Sequence, residues 1–163
     1  IGYPASLYRD VFAEARRLGL PVVAHGGETD GPHSVRDAME SLHAERIGHG
    51  IRSLDDPALV ATLRERQLPI EVSPQSNYCI KVVPLDQPHP IRRMVDAGLY
   101  VTLNSDDPPM FSTDLVNEYL TLAAQYEQWV AVLQDAARAR PEAEQAALFA
   151  ENTRRVYRLD AQP

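Results

Sequence analysis

The feature that most constrains this chain is its rhythm. Short apolar runs, each ending on polar residues, alternate with helix-patterned segments four times in succession. LPVVAH (20–25) precedes a loop that Gly26, Gly27 and Gly31 are expected to loosen, and then the helical HSVRDAMESL (33–42). AERIGHG (44–50) holds a very short strand and precedes DPALVATLRERQ (56–67). LPIEVSPQSN (68–77) reads as strand and loop before HPIRRMVDAG (89–98), and LYVTLNSDDP (99–108) is the last strand. Each crossover is long enough for a helix, so the strands must run parallel. Continuous apolar runs of this kind suit strands covered on both faces. A further helix is expected at the start, over residues 4–18, where Leu7, Val11, Phe12, Ala15 and Leu18 recur at helical spacing with Pro4 before and Gly19 after. Asp56 and Pro57 read as the N-cap and first residue of their helix, and Gly98 as a helix terminator. From Asp114 onward the pattern is helical throughout.

The fold class is therefore α/β, with a single domain expected over 1–163. Two architectures fit: an open doubly wound sheet, or four strands of a (βα)8 barrel. A complete barrel takes about 250 residues, so a chain of 163 would supply only part of one. With 44% hydrophobic and 24% charged residues, the chain can bury one core. A net charge of −7 argues against a nucleic-acid binder, which needs a basic patch. No run of apolar residues is long enough to span a membrane, and no signal-peptide pattern opens the sequence. One cysteine, Cys79, excludes an internal disulfide framework and suits a reducing, cytoplasmic setting.

Ligands of parallel α/β folds sit at the carboxyl ends of the strands. Here those ends read HGGE, GHG, SPQSN and NSDDP, carrying His25, Glu28, His49, Asn77, Asp106 and Asp107. His25 fits either a hydrogen-bonded histidine at the sheet end or a metal ligand. Glu28 fits a solvated loop glutamate or, beside a metal and a bound base, a general acid with a raised pKa. Between Gly48 and Gly50, His49 is open to close approach by backbone or substrate, or is a structural turn histidine. SPQSN reads as a proline-containing turn capped by Asn77, and His33, His43 and His89 read as surface or helix-opening residues. Asp106 and Asp107 are the hardest to explain structurally. An N-cap role ahead of Pro108 accounts for one, not both. No lysine or arginine lies nearby in sequence, so a metal ion is the economical counter-charge.

Taken together, AHGGE (24–28), GPHSV (31–35), RIGHG (46–50), SPQSN (73–77) and TLNSDDP (102–108) resemble, in order and spacing, the adenosine deaminase family of the amidohydrolase superfamily. The resemblance implies a zinc-dependent deaminase on a TIM (βα)8 barrel, of which this chain matches the last four strands. It implies His25 and Asp106 as zinc ligands and Glu28 as the donor of a proton to purine N1 while water attacks C6. His49 would orient and deprotonate that water, and Asp107 would hydrogen-bond the purine edge at N7. The family's HxH pair, which supplies two more ligands, is absent from these residues. The chain is thus expected to be a C-terminal segment that needs the N-terminal half of the same barrel, and to be inactive alone. A small-molecule purine nucleoside is the expected partner, with adenosine narrowly first. Aminodeoxyfutalosine and adenine are the alternatives, because SPQSN departs from the family's usual CPTSN and NSDDPPMF resembles nucleoside-deaminating branches. A non-catalytic half-barrel with a binding or assembly role is the competing class.

Overall fold

The computed structural model describes residues 3–124. The chain divides into two compact units, Ile1–Leu122 and Ala123–Pro163. Nearly all of the second lies outside the described residues, as does the reach of a single domain to residue 163; of the expected C-terminal helices, only 115–124 are described, and they are helical.

Four parallel strands form one sheet in sequence order: β1 (Val23–Gly26), β2 (Arg46–His49), β3 (Ile70–Val72) and β4 (Val101–Leu103). Sequential order, with a helical crossover at each step, is the arrangement of a barrel wall and not of an open sheet that reverses direction about its first strand. The crossover helices are α2 (Pro32–Ser41), α3 (Pro57–Arg66) and α5 (Ile91–Asp96), preceded by α1 (Arg9–Arg17).

Local chemistry explains the boundaries. Pro57 occupies the first position of α3, and the Asp56 carboxylate accepts from the Ala58 and Leu59 N–H groups at 3.0 and 3.1 Å, as the sequence indicated. The same carboxylate accepts from Arg36 of α2 at 2.7 Å, tying adjacent crossovers together. Ile47, Leu59, Leu63, Ile70, Val72 and Met94 are fully buried where the sheet meets its helices. The outer strands are less covered. No residue of β4 is buried, whereas three of the four in β2 are.

Three expectations change. Residues 4–18 are not one helix: Ala5–Tyr8 form a 3-10 turn before α1, and Leu7, Val11 and Leu18 are exposed. Their periodicity marks an apolar face that nothing among the described residues covers. SPQSN is not a simple turn, because Pro74–Cys79 form a short helix, α4, with Pro74 at its first position. The glycines of HGGE do not loosen the loop. A Cβ on Gly27, where φ is +68°, would stand 2.6 Å from Val35 Cγ2, so Gly27 lets β1 close against α2.

Ile70 joins β3 to both neighbouring strands and is completely buried. Replacing it with alanine should destabilise the fold by about 2–5 kcal/mol, read as a lower urea midpoint at unchanged slope.

Candidate active site at the strand ends

The site is set by register. His25 of β1 pairs with Gly48 of β2, and Gly48 with Glu71 of β3. Alternation along a strand sends that row to one face of the sheet. A Cβ on Gly48 would lie 2.6 Å from His25 Cδ2, so the glycine is the space the imidazole occupies. His49 follows in sequence and would point to the other face, but its φ of +67° ends the strand in a left-handed conformation. Its ring meets that of His25 edge-on, with centroids 4.7 Å apart. Asp106, beyond β4, also has positive φ, at +57°. Two non-glycine residues held in this region at the same end of the sheet mark a constrained site.

Three of the predicted residues converge. One donor atom from each of His25, Glu28 and His49 can be chosen so that all lie within 4.8 Å of one another. His49 Nδ1 is 3.1 Å from Glu28 Oε1, and its Nε2 is 3.8 Å from Asp106 Oδ2. The His49 side chain is 4% exposed, that of Glu28 18% and that of Asp106 25%. A cavity of about 290 Å³ opens among His25, Gly48, His49, Glu71, Asn104 and Asp106. Two imidazoles and two carboxylates gathered at its edge form a nitrogen and oxygen donor set of the kind zinc takes.

Asp107 does something different in this structure. Its Oδ1 accepts the Met110 N–H at 2.9 Å and caps α6 (Pro108–Phe111). The adjacent aspartates are thus separated by task, one turned to the His49 side and one capping a helix.

The electrostatics separate the groups as well. Burial pushes the His49 pKa from its ordinary 6.5 down to about 4, helped by the positive charge His25 can carry. The Glu28 pKa is raised, first by burial and then by the Asp106 carboxylate. At neutral pH the 3.1 Å contact is therefore between Glu28 and a neutral imidazole, not an ion pair, and the hydrogen bond at His49 Nδ1 is with Asn77 Nδ2 at 3.4 Å.

Sequence reasoning missed the support around these groups. Ser76 Oγ donates to Asp106 Oδ2 at 2.7 Å, and Asn77 Nδ2 donates to Glu28 Oε1 at 3.0 Å. Both project from α4, the segment read as a turn. His89, read as a helix opener, is 3% exposed and 3.1 Å from Asn77 Oδ1 through its Nε2. Glu118 is fully buried and binds α4 from the far side, accepting from the Gln75 N–H and the Thr113 hydroxyl, each at 3.0 Å. Its pKa is raised, chiefly by burial. The available signal was a histidine directly before a proline and an apolar residue, a position with few reasons to be polar.

The sequence matches the adenosine deaminase family over residues 1–158. An aminodeoxyfutalosine deaminase of Streptomyces avermitilis is 50% identical over 123 residues, which are 76% of this chain and 34% of that protein. The chain thus spans about a third of that relative's length. The crystal structure of an adenine deaminase from Arthrobacter aurescens superposes with a TM-score of 0.70 at 32% identity, covering 96% of this chain and 50% of the other. An amidohydrolase from Burkholderia ambifaria, solved with bound zinc, superposes with a TM-score of 0.64 at 32% identity over 70% of this chain and 32% of its own.

Two outcomes are expected of the metal-free protein. Both His49 and His89 have pKa values depressed to about 4. Between pH 6.5 and 4 the unfolded chain takes up protons that the folded chain excludes, so stability must fall as pH falls. The slope should reach at most about 1.4 kcal/mol per pH unit for each histidine, measured by urea unfolding at a series of pH values. Gly48→Ala should displace the His25 ring, seen as a shift of its imidazole resonances that leaves those of the distant His43 in place.

Proposed function

This chain belongs to the adenosine deaminase family, and we propose that its strand-end site serves the hydrolytic deamination of an aminopurine, with an aminodeoxyfutalosine-type nucleoside as substrate. The observation that carries the reading is the convergence of His25, Glu28, His49 and Asp106 at one end of a parallel sheet. The reaction exchanges the purine amino group for oxygen: water adds at C6, ring nitrogen N1 gains a proton, and ammonia leaves.

Each group is suited to one part of this. Glu28, its pKa raised by burial and by the Asp106 carboxylate, is suited to deliver a proton to N1. His49 is neutral at pH 7 and can accept a proton from the attacking water. Asp107 follows the cavity-lining Asp106 in sequence, and its carboxyl would hydrogen-bond the purine edge. His25 and Asp106 would hold zinc, the metal bound in the Burkholderia ambifaria structure. When bound, zinc supplies Lewis acidity, which acidifies water and polarises the reacting centre.

The substrate choice rests on the 50% identical relative, named for aminodeoxyfutalosine, and on the NSDDPPMF ending. Adenine is the second reading, favoured by the Arthrobacter aurescens structure. Adenosine, first on the motifs alone, ranks behind both. The missing HxH and the sparsely buried outer strands support a site completed by the other strands of the barrel. A half-barrel with a binding or assembly role alone would have little use for a carboxyl and an imidazole with pKa values displaced in opposite directions. Exposed Cys79 fits a cytoplasmic setting, and among the described residues no helix is long and apolar enough to cross a membrane.

The test is ammonia release from aminodeoxyfutalosine, adenine and adenosine, with zinc and the complementary strands supplied, and in parallel with this chain alone. Turnover should be fastest on aminodeoxyfutalosine and fall by about 10²–10⁴-fold in Glu28→Gln. No ammonia from any of the three would sink the reading. Zinc titration should give tight, stoichiometric binding only with the complementary strands present.

A further inference from the structure

Glu118 is fully buried, yet no step of the deamination uses it. It lies in the helical segment 115–124, beyond β4. A buried carboxyl is costly without partners, and Glu118 has two. Its Oε2 accepts from the Gln75 N–H and its Oε1 from the Thr113 hydroxyl, each at 3.0 Å.

The bond from Gln75 closes a gap in α4. The first N–H groups of a helix have no partner within it, and a serine at the N-cap ordinarily supplies one. Ser73 stands at the N-cap of α4, but its side chain makes no such bond. Pro74, at the first position, has no N–H to satisfy. Gln75 carries the first N–H of the helix, and its acceptor is a carboxyl 43 positions away in sequence. The next two residues are the ones that reach the site. Ser76 donates to Asp106, after β4, and Asn77 to Glu28, after β1. The six residues of α4 thus serve the ends of both outer strands. Both of those bonds act through rotatable side chains. The bond to Glu118 grips the backbone itself, one residue before Ser76.

We propose that Glu118 is a positioning residue of the strand-end site: by capping α4 from outside, it sets where Ser76 holds Asp106 and where Asn77 holds Glu28. The assignment deepens the deaminase reading and rests on it for what Asp106 and Glu28 do. How they are held follows from the hydrogen bonds alone. The role asks for an acceptor at position 118. A glutamine there keeps one and can turn its amide N–H to the Thr113 oxygen, whereas a methionine fills similar space without one.

The experiment is NMR on the ¹³C,¹⁵N-labelled, metal-free chain at pH 7, with no substrate. A correlation across the hydrogen bond should connect the Gln75 amide nitrogen to the Glu118 carboxyl carbon. In Glu118→Met, hydrogen exchange at the Gln75 N–H and at the buried Asn77 carboxamide should quicken by about tenfold, and the Asn77 resonances should shift. The Ile47 amide, bonded to Pro69 O in the sheet, should keep its parental rate. Glu118→Gln should restore the parental behaviour of Gln75 and Asn77. Absence of the correlation in the parent overturns the proposal. So does a folded Met variant in which Asn77 is unchanged, or in which Ile47 quickens equally, since that marks lost stability alone. A folded Gln variant that behaves like Met overturns it as well. If the Met variant fails to fold, the parental correlation and the Gln variant decide. None of these spectra needs turnover, so the deaminase reading and the role of Glu118 fail separately.

Discussion

The site depends on the parallel register of β1 against β2. His25 stands across from Gly48, and Gly26 across from His49. A slip of one residue would put His25 against a side chain and send the row to the opposite face. Sequential parallel pairing then brings Glu71 and the end of β4 to the same side. The backbone adds what alternation cannot. With left-handed conformations at His49 and Asp106, the His49 ring meets His25 and the Asp106 carboxylate lies on the His49 side.

Around this frame the polar groups are shared rather than duplicated. Asn77 bonds Glu28 and His49, His89 bonds Asn77, and Ser76 bonds Asp106. Partly buried carboxyls without such partners would be costly. The same burial that imposes this cost raises Glu28 and lowers His49. One environment thus displaces the pKa values of a neighbouring carboxyl and imidazole in opposite directions.

Much of this was readable from the residues. The strand–helix alternation gave the parallel sheet, and polar residues after apolar runs located the site. Asp56 and Pro57 announced α3. What the sequence hid was direction and reach. SPQSN carries the proline and serines of a turn, and only the packing of Glu118 beneath it, a residue more than forty positions away, shows that it is a helix aiming Ser76 and Asn77 inward. His89 looked like a helix opener because its partners are a backbone amide and a side chain on another element. The periodic face of α1 was legible, but periodicity reports what a surface is built to bury, not whether its partner is at hand.

The strands of this sheet are only three or four residues long, and β1 and β4 each have one neighbour among the described residues. An unpaired strand edge is a template for another chain, and its adhesive strength grows with its length. Edges this short offer few hydrogen bonds to a stray segment, while a net charge of −7 keeps like copies apart until salt screens it. The resistance of these edges to stray pairing therefore comes from the brevity of the strands, the same brevity that lets each one end at the site.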